Sequence, residues 1–284
     1  MRSIISCLFI FLFINSIVKS QNTKTLEVDS QITISPLLYE ISGMCLHNGD
    51  IYAINDSGNG SVIYKLDPET GKMIEYYRIR NIRNRDWEEL SVFQGKLYIG
   101  DFGNNSGKRK DLVIYSISID SIQYPEPPVA TTQIKYSTEQ ESKVRRSTNE
   151  WDCEAMTVTS EGIYCFSKNR KDLITKMYHL KEGNKDLLCP VDSFNTGFLV
   201  TGAFYYNYGK SLFLCGYYKD ETYLLHFRNT TEVKFSEEYT RYVLPELKST
   251  QVESVFVSGN YIYLASERTT KQQAIYRVRL KDLE

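Results

Sequence analysis

WEELSVFQGKLY (Trp87–Tyr98) contains the pattern that decides the fold. A short apolar run follows two glutamates, a Gln-Gly turn interrupts it, and a second apolar run contains a tyrosine. Two short apolar runs around a glycine turn are typical of a β-hairpin. The tyrosine lies ten residues after Glu88, and this offset recurs elsewhere in the chain.

Four further copies of this hairpin follow the same order of strand, turn and aromatic residue. Three of them keep the offset of ten residues, and one is two residues longer. The copies are Ser42–Tyr52, Glu154–Tyr164, Glu253–Tyr263 and, with the longer hairpin, Thr201–Phe213. A third apolar segment follows each copy, and successive copies start 46, 66, 47 and 52 residues apart. Repeats of this length are typical of four-stranded propeller blades.

These repeats predict an all-β chain folded as a five-bladed β-propeller. The last copy leaves room for only three strands after Glu253, so we expect an N-terminal strand within Leu26–Ile34 to complete it. This closure would remove the open sheet edge that the last blade otherwise presents. Six blades are the alternative, which requires a copy that the pattern does not show.

The first residues have the character of a secretory signal. Arg2 precedes a mostly apolar run from Ile4 to Phe13, and small residues lie shortly before Gln21. The pattern predicts a signal peptide over residues 1–20 and a single propeller domain over residues 21–284. A membrane-anchored N-terminus is the alternative. After removal of the signal, we expect a secreted or periplasmic protein without a membrane span.

Charge and ligand spacing argue against two kinds of partner. The chain has 34 basic and 35 acidic residues, and loss of Arg2 and Lys19 with the signal leaves 32 basic residues. A near-neutral surface argues against nucleic acid. The three histidines lie far apart and no C-x-x-C motif occurs, so zinc is not expected. The five cysteines left after cleavage are expected to be mostly buried thiols.

The first residue of each copy defines a candidate metal site on the propeller axis. Inner strands of neighbouring blades start beside the central channel, so repeat-equivalent residues become neighbours there. These residues are Ser42, Glu88, Glu154, Thr201 and Glu253. Two charged carboxylates ~4 Å apart repel each other by about 4 kcal/mol at an effective dielectric constant of ~20. A proton, a base or a cation must therefore compensate the charge of the ring. No lysine or arginine occupies a repeat position, and an all-oxygen ligand set in a calcium-rich extracellular compartment predicts calcium. Magnesium is second, because it is smaller and stricter in geometry. The alternative is that the glutamates hydrogen-bond backbone amides between blades.

A second layer of charged residues is expected at the mouth of the channel, because the second strand of a hairpin ends opposite the start of the first. These residues are Asp56, Asp101, Lys168, Arg170, Glu267 and Arg268, with Arg83, Arg85 and Asp86 in the loop before the second copy. We interpret Asp56 or Asp101 as a general base. We interpret Arg85, Arg170 and Arg268 as binding residues for a phosphate or carboxylate. The alternative for any one arginine is a solvated surface position.

The chain resembles the soluble calcium-activated nucleotidases, also called apyrases. The motifs with this likeness are Glu40–Met44, Gly49–Tyr52, Asn55–Asp56, Trp87–Leu90, Lys96–Gly100, Cys153–Ala155, Thr201–Phe204 and Val252–Val255. The resemblance implies five blades, hydrolysis of nucleoside di- and triphosphates, and one axial calcium held in the order serine, glutamate, glutamate, hydroxyl, glutamate. The chain departs from the family at Thr201, where a serine is expected, and in its shorter loops.

The chain is also similar to secreted bacterial propellers that have an Asp-Trp-Glu-Glu or Asp-Trp-Glu-Asp motif. Since one fold serves many functions, two functions stay open. The first is a calcium-dependent hydrolase of phosphate-containing or other anionic small molecules. The second is a non-catalytic, calcium-stabilised propeller that binds a glycan, a peptide or a partner protein.

Overall fold

The computed structural model describes residues 23–136, 145–183 and 185–283, so the predicted signal peptide lies outside the described residues. In chain order the strands are β1 (Thr23–Thr25), β2 (Ser30–Thr33), β3 (Ile41–His47), β4 (Asp50–Asn55), β5 (Val62–Leu66), β6 (Met73–Arg78), β7 (Trp87–Phe93), β8 (Lys96–Asp101), β9 (Leu112–Ser118), β10 (Val129–Tyr136), β11 (Cys153–Thr159), β12 (Gly162–Ser167), β13 (Ile174–Leu180), β14 (Lys185–Leu188), β15 (Pro190–Asn195), β16 (Leu199–Tyr206), β17 (Ser211–Tyr218), β18 (Glu221–Phe227), β19 (Tyr239–Val243), β20 (Val252–Ser258), β21 (Tyr261–Ser266) and β22 (Ala274–Arg279). Short 3-10 helices span Pro36–Leu38, Ile119–Ser121, Arg146–Thr148, Pro245–Leu247 and Leu280–Asp282.

Each sheet in the described part of the chain is one blade of a propeller. Blade 1 contains β3–β6, blade 2 contains β7–β10 with β14 added, and blade 3 contains β11–β13 and β15. Blade 4 contains β16–β19 with β1 added, and blade 5 contains β20–β22 with β2 added. The predicted all-β fold with five blades is therefore confirmed.

The N-terminal segment closes the ring as predicted. Strand β2 pairs antiparallel with β22, with Ile32 opposite Ile275, and supplies the outer strand of blade 5. Strand β1 adds a feature that the repeat did not indicate, because it pairs in parallel with β19 on the outer edge of blade 4. One short segment of chain therefore covers the outer edges of two neighbouring blades.

One apolar cluster fills each interface between neighbouring blades. Representative side chains, all at most 1 % exposed, are Trp87 (blades 1 and 2), Phe102 (2 and 3), Phe198 (3 and 4), Tyr242 (4 and 5) and Phe256 (5 and 1). Burying a large apolar side chain stabilises a fold by about 1.5–3 kcal/mol, so these interfaces form the core. The cluster between blades 5 and 1 shows that the ring of five is closed, and the alternative of six blades is wrong.

The inner strands approach each other closely around the axis. A Cβ atom at Gly43 would collide with the backbone nitrogen of Leu90 on the neighbouring inner strand. A Cβ at Gly202 would lie 2.8 Å from the Cys215 sulfur and 2.9 Å from the Ser254 Cα. Glycine is therefore required at both positions, and the side chains at the start of each inner strand lie in a narrow space.

Two further observations concern the thiols and the helices. Cys45, Cys153, Cys165 and Cys215 are buried free thiols, and Cys189 is an exposed one. This distribution agrees with the usual preference of free cysteine for apolar interiors. None of the helices in the described residues has the length and apolar character needed to cross a membrane.

Candidate functional site

Each inner strand contains a β-bulge at the first residue of its repeat copy. In blade 1, Ile41 pairs with Asn55 and Gly43 pairs with Ile54, so Ser42 is left out of the ladder. The residues left out in the other blades are Glu88, Glu154, Thr201 and Glu253. A bulge redirects a side chain that regular pairing would place on a sheet face. Five bulges at equivalent positions thus make this set a structural feature of the axis as well as a sequence repeat.

Four of these five residues line one axial cavity. It encloses about 100 Å³ and is lined by Ser42, Asp56, Glu88, Asn105, Arg146, Glu154, Lys168, Arg170, Tyr217, Gln251, Glu253 and Glu267. Ser42, Glu88, Glu154 and Glu253 are all buried. Thr201 is buried but does not line the cavity, because its hydroxyl donates a hydrogen bond to the Val252 carbonyl.

A lysine that the sequence placed near the mouth of the channel compensates part of the acidic ring. Lys168 follows β12, and its Nζ forms a buried ion pair with Glu154 Oε2. The same Nζ lies 5.2 Å from the centre of the Tyr217 ring. Burial opposes the charged lysine, but attraction to Glu154, Tyr217 and Glu253 holds its pKa above the usual range. One carboxylate of the ring is therefore already neutralised by the protein.

Arg170 is held on the same side of the cavity by blade 3 and by the loop after β8. Its Nη1 pairs with Asp152 Oδ2, and its Nη2 donates to Asn105 Oδ1 at 2.8 Å. Asp152 also accepts a hydrogen bond from the Asn104 backbone nitrogen at 2.7 Å. These contacts fix the guanidinium at the cavity wall, where Asp152 and Asn105 already engage its two Nη atoms.

A second part of the site is an acidic cluster, which Arg109 approaches only at 3.9 Å, from its Nη1 to Asp86 Oδ2. Carboxylate oxygens of Asp56, Asp86 and Glu88 lie within 4.8 Å of one another. Burial raises the pKa of Glu88, and repulsion from Glu154 and Asp56 raises it further. Burial and repulsion from Asp56 raise the pKa of Asp86 to about 6. Removing charged carboxylates from water in this way is costly unless a proton or a cation compensates.

Three buried oxygens of cavity-lining residues have no hydrogen-bond partner within the described residues. They are Ser42 Oγ, Glu88 Oε1 and Glu154 Oε1. Buried polar atoms are nearly always paired in folded proteins, so an unpaired one indicates a missing water or ion. Glu253 and Glu267 are a further pair of acids that line the cavity. Burial raises the pKa of Glu253 to about 7 and that of Glu267 to about 8.

The donor set of the cavity fits a hard cation. Among the lining residues are the acids Asp56, Glu88, Glu154, Glu253 and Glu267 and the bases Arg146, Lys168 and Arg170, an excess of two acids. The side-chain oxygens of Ser42, Asp56, Asp86 and Glu88 are hydroxyl or carboxylate oxygens, which calcium and magnesium prefer. The volume of about 100 Å³ is enough for an ion with several waters.

The other predicted site residues fall into two groups, those that line the cavity and those that do not. Asp56 and Arg170 line the cavity, whereas Asp101, Arg85 and Arg268 do not. Asp101 is fully buried and accepts a hydrogen bond from Arg109 Nη2 at 2.7 Å and others from the backbone nitrogens of Arg85 and Asp86. It therefore orders the loop that contains Asp86. Arg85 is exposed and pairs with Asp111.

Sequence reasoning placed Asp86 near the mouth without assigning it to the ring, and it missed Asp152. Both precede an axial glutamate by two residues, in Asp86-Trp87-Glu88 and Asp152-Cys153-Glu154. A strand places residues two apart on the same face, so this Asp-x-Glu spacing is the signal that indicates them. The ion pair between Lys168 and Glu154 has no comparable signal, because it depends on the direction of one long side chain.

Comparisons with known proteins agree on the fold. No protein-family model and no curated protein matches the sequence. Among solved structures, the chain is similar to the PQQ-bound aldose sugar dehydrogenase of Streptomyces coelicolor, with a TM-score of 0.52 and 10% identity over 90% of this chain and 98% of that chain. It is also similar to a glucose dehydrogenase, with a TM-score of 0.47 and 11% identity over 90% of this chain and 82% of that one. The likeness to the aldose sugar dehydrogenase, at 10% identity, supports the propeller fold alone.

Proposed function

We propose that this protein is a calcium-binding β-propeller that holds an anionic small molecule at the mouth of its axial cavity. The observation that supports it best is that Glu88 Oε1 and Ser42 Oγ, both without a hydrogen-bond partner in the described residues, belong to one cavity with an excess of acids. Both atoms are oxygens that calcium accepts as ligands. Asp56 and Asp86 would complete the ligand set, with Glu253 and water on the remaining sides.

The bases that line the cavity are the reason for proposing an anionic ligand. Lys168, Arg170 and Arg146 line the same cavity as Asp56 and Glu88 of the acidic cluster. Calcium bound at the acidic cluster would supply Lewis-acid polarisation of a ligand oxygen. Arg170 keeps its guanidinium at the wall through Asp152 and Asn105, and Arg146 is exposed, so both can face an anion at the mouth.

Hydrolysis of that anion is a second candidate function, and Asp56 favours it. Burial raises the pKa of Asp56, although two hydrogen bonds from Ser57 oppose the shift. A carboxylate with a raised pKa is a better proton acceptor near neutral pH, so Asp56 can take a proton from water at the cavity. Lys168 and Arg170 would then neutralise the charge of the leaving group. A volume of about 100 Å³ is below the ~300–1,000 Å³ typical of ligand pockets, which instead favours a bound ion with the organic part of the ligand outside.

Calcium titration of the purified protein tests the proposal. We expect the melting temperature to rise with calcium, by an amount equivalent to about 2.7 kcal/mol at 100 times the Kd. Glu88→Gln should abolish this rise, and the matched control Glu161→Gln, on an exposed turn of blade 3, should keep it. If the wild-type protein shows no calcium-dependent rise, or if Glu88→Gln retains it fully, the proposed site is wrong. A magnesium titration alongside identifies which ion is preferred.

A phosphate-release assay separates the two candidate functions. The substrates are nucleoside di- and triphosphates, with calcium and then with chelator. Release that requires calcium, and that is lost in Asp56→Asn while this variant still shows the calcium-dependent rise in melting temperature, would establish the hydrolase. Calcium binding without release would leave a binding protein, with a glycan, a peptide or a partner protein as the next ligands to test.

Export is part of the same proposal, because calcium is abundant outside cells. We propose that residues 1–20 are removed as a signal peptide and that the protein acts in the medium or the periplasm. N-terminal sequencing of protein recovered from a secreting host should give Gln21 as the first residue. An intact Met1 in that fraction would contradict the proposal.

A further inference from the structure

A second cavity lies next to the acidic cluster of the axial site, in the groove between blades 1 and 2. It is an open cleft of about 500 Å³, lined by Gly58, Asn59, Gly60, Ser61, Arg83, Asn84, Arg85 and Arg109. These residues come from the loop between β4 and β5, the loop between β6 and β7, and the loop between β8 and β9. Three of the eight lining residues are arginines and none is acidic. The cleft therefore differs in charge from the cavity beside it.

The floor of the cleft is a glycine-rich turn, Ser57–Ser61. Gly58 has a φ of +82°, a conformation that glycine adopts without strain. Neither Gly58 nor Gly60 donates a backbone hydrogen bond to another described residue, and added Cβ atoms there would meet open space or a single methyl group. Their N–H groups are therefore available to an anion in the cleft, as in other glycine-rich turns that bind oxyanions.

A buried asparagine makes this floor rigid. Asn84 is 7% exposed and donates from Nδ2 to the carbonyls of Asn55 at 2.9 Å and Asp56 at 3.0 Å. Its Oδ1 accepts a hydrogen bond from the Trp87 backbone nitrogen at 3.1 Å. Asn84 thus joins the end of β4 to the start of β7, the two elements that present Asp56 and Glu88 to the axis. The cleft and the axial cavity share this wall.

The three arginines of the cleft differ in how firmly their guanidinium groups are held. Arg109 is fixed, with Nη2 on Asp101 Oδ1 at 2.7 Å and Nη1 on the Gly103 carbonyl at 2.9 Å. Its Nη1 also lies 3.9 Å from Asp86 of the acidic cluster. Arg85 pairs with Asp111, and both side chains are about half exposed, so water and salt weaken this pair. Arg83 is exposed and forms no ion pair within the described residues.

We propose that this cleft binds the phosphate group of a phosphate monoester, with Arg83 and Arg85 as its binding residues and the turn Ser57–Ser61 as its floor. The planar fork of arginine matches phosphate oxygens in pairs, and backbone N–H groups complete such a site. The inference rests on the proposed function, because it places the anionic ligand of the axial calcium site beside Asp56 and Asp86. It also explains why the small axial cavity does not need to enclose the ligand.

Binding of phenyl phosphate, followed by saturation-transfer NMR on its ring protons, tests this site. The wild-type protein should bind it with calcium present, and Arg83→Gln should weaken binding at least about tenfold, a loss of about 1.4 kcal/mol. Arg78→Gln is the matched control, since Arg78 is an exposed arginine of β6 that does not line the cleft. Phenyl sulfate and benzoate, measured in parallel, should bind more weakly than the doubly charged phosphate.

The outcomes separate this inference from the proposed function. No binding of phenyl phosphate by the calcium-loaded protein would overturn the cleft and leave the calcium site standing. Equal losses in Arg83→Gln and Arg78→Gln would also overturn it, because they indicate unspecific attraction. Binding that depends on Arg83 in a protein without a calcium response would keep the cleft and overturn the axial calcium site. Equal binding of all three anions would contradict the phosphate monoester as the ligand.

Discussion

Glu88 and Glu89 are adjacent in the chain and almost fully buried, yet they differ in how their carboxyl groups are paired. Glu88 is the bulged residue of β7, and its Oε1 has no partner in the described residues. Glu89 accepts hydrogen bonds from the backbone nitrogens of Leu90 at 3.0 Å and Ala203 at 3.3 Å and from Ser254 Oγ at 3.3 Å. The Met156 backbone nitrogen is a further donor.

Glu89 therefore joins the blades below the axial cavity. Its donors belong to blades 2, 3, 4 and 5, and Ser254 Oγ accepts a hydrogen bond from the Met44 nitrogen of blade 1 at 2.9 Å. Burial raises the pKa of both glutamates, despite the hydrogen bonds that oppose it at Glu89. Burial and pKa thus do not distinguish a binding group from a structural one, whereas the number of satisfied hydrogen bonds does.

The largest expected effect is on stability, at Glu89. Glu89→Ala removes the acceptor for several backbone amides and opens a cavity on the axis, so we expect a loss of about 4 kcal/mol in the free energy of unfolding. Urea unfolding in chelator measures it. Glu88→Ala under the same conditions should cost less than about 1 kcal/mol, because it removes an unpaired carboxyl among like charges. Similar losses of stability in Glu89→Ala and Glu88→Ala would show that the two glutamates do not differ in structural role.

The next effect concerns the base that already compensates the ring. Lys168→Met removes the main ion pair of the buried Glu154 and leaves it only Arg170 Nη2, 3.8 Å from its Oε1. This should cost about 3 kcal/mol in calcium-free buffer. Added calcium should recover part of this loss, because a cation can replace the ammonium group. Lys171→Met, which breaks an exposed ion pair with Glu150, is the control and should change stability by less than about 1 kcal/mol. A Lys168→Met protein as stable as wild type would show that the pair contributes nothing.

A third buried group, His226, tests whether an unpaired atom alone indicates a ligand. Its Nε2 lies 3.0 Å from Ser211 Oγ, its Nδ1 has no partner in the described residues, and it stacks on Phe213 away from the axis. Burial and then repulsion from Arg228 lower its pKa to about 4. The unfolded chain, with a pKa near ~6.5, therefore binds more protons between these values, and stability falls as the pH falls through this window.

The expected loss at His226 is on the order of 2 kcal/mol between pH 7 and pH 5. His226→Gln keeps a hydrogen bond to Ser211 without a titratable group and should reduce this slope. The measurement is urea unfolding across pH, in chelator and in calcium. A slope that is unchanged in His226→Gln would assign the acid sensitivity to another group. If the stabilisation by calcium is lost in His226→Gln, the proposal that calcium binds at the axial cavity is contradicted.

The smallest effect is expected at Thr201. Its hydroxyl donates to the Val252 carbonyl instead of lining the cavity, so Thr201→Val should cost about 1 kcal/mol of stability and leave the calcium affinity unchanged. Calorimetric titration of calcium measures this. A tenfold fall in affinity would restore Thr201 to the ligand set that the sequence predicts.

The fold could be predicted because the propeller repeats a local pattern. An offset of ten residues between the axial residue and the tyrosine of the next strand identified four blades, and one copy with a hairpin two residues longer identified the fifth. The same register places the five bulges. The convergence of Ser42, Glu88, Glu154 and Glu253 on one cavity follows from that symmetry. Such statements need only the positions of residues along strands.

The pairing of side chains could not be predicted, because it depends on contacts between residues that are distant in sequence. Lys168 was expected near the mouth, but its contact with Glu154 depends on the direction of a flexible side chain. Asp101 has the same sequence character as Asp56, yet Arg109 and two backbone nitrogens engage it fully. Glu89 has no distinguishing pattern, since its partners lie on three other blades.

The parallel pairing of β1 with β19 and the antiparallel pairing of β2 with β22 have a consequence for biosynthesis. These two N-terminal strands are made first, but their partners are among the last strands that the ribosome completes. Contacts between such distant segments form slowly, because closing the long loop between them costs conformational entropy before the contacts can stabilise the chain. We therefore expect the ring to close only after β22 has been synthesised, which leaves the chain open while it is still being translated.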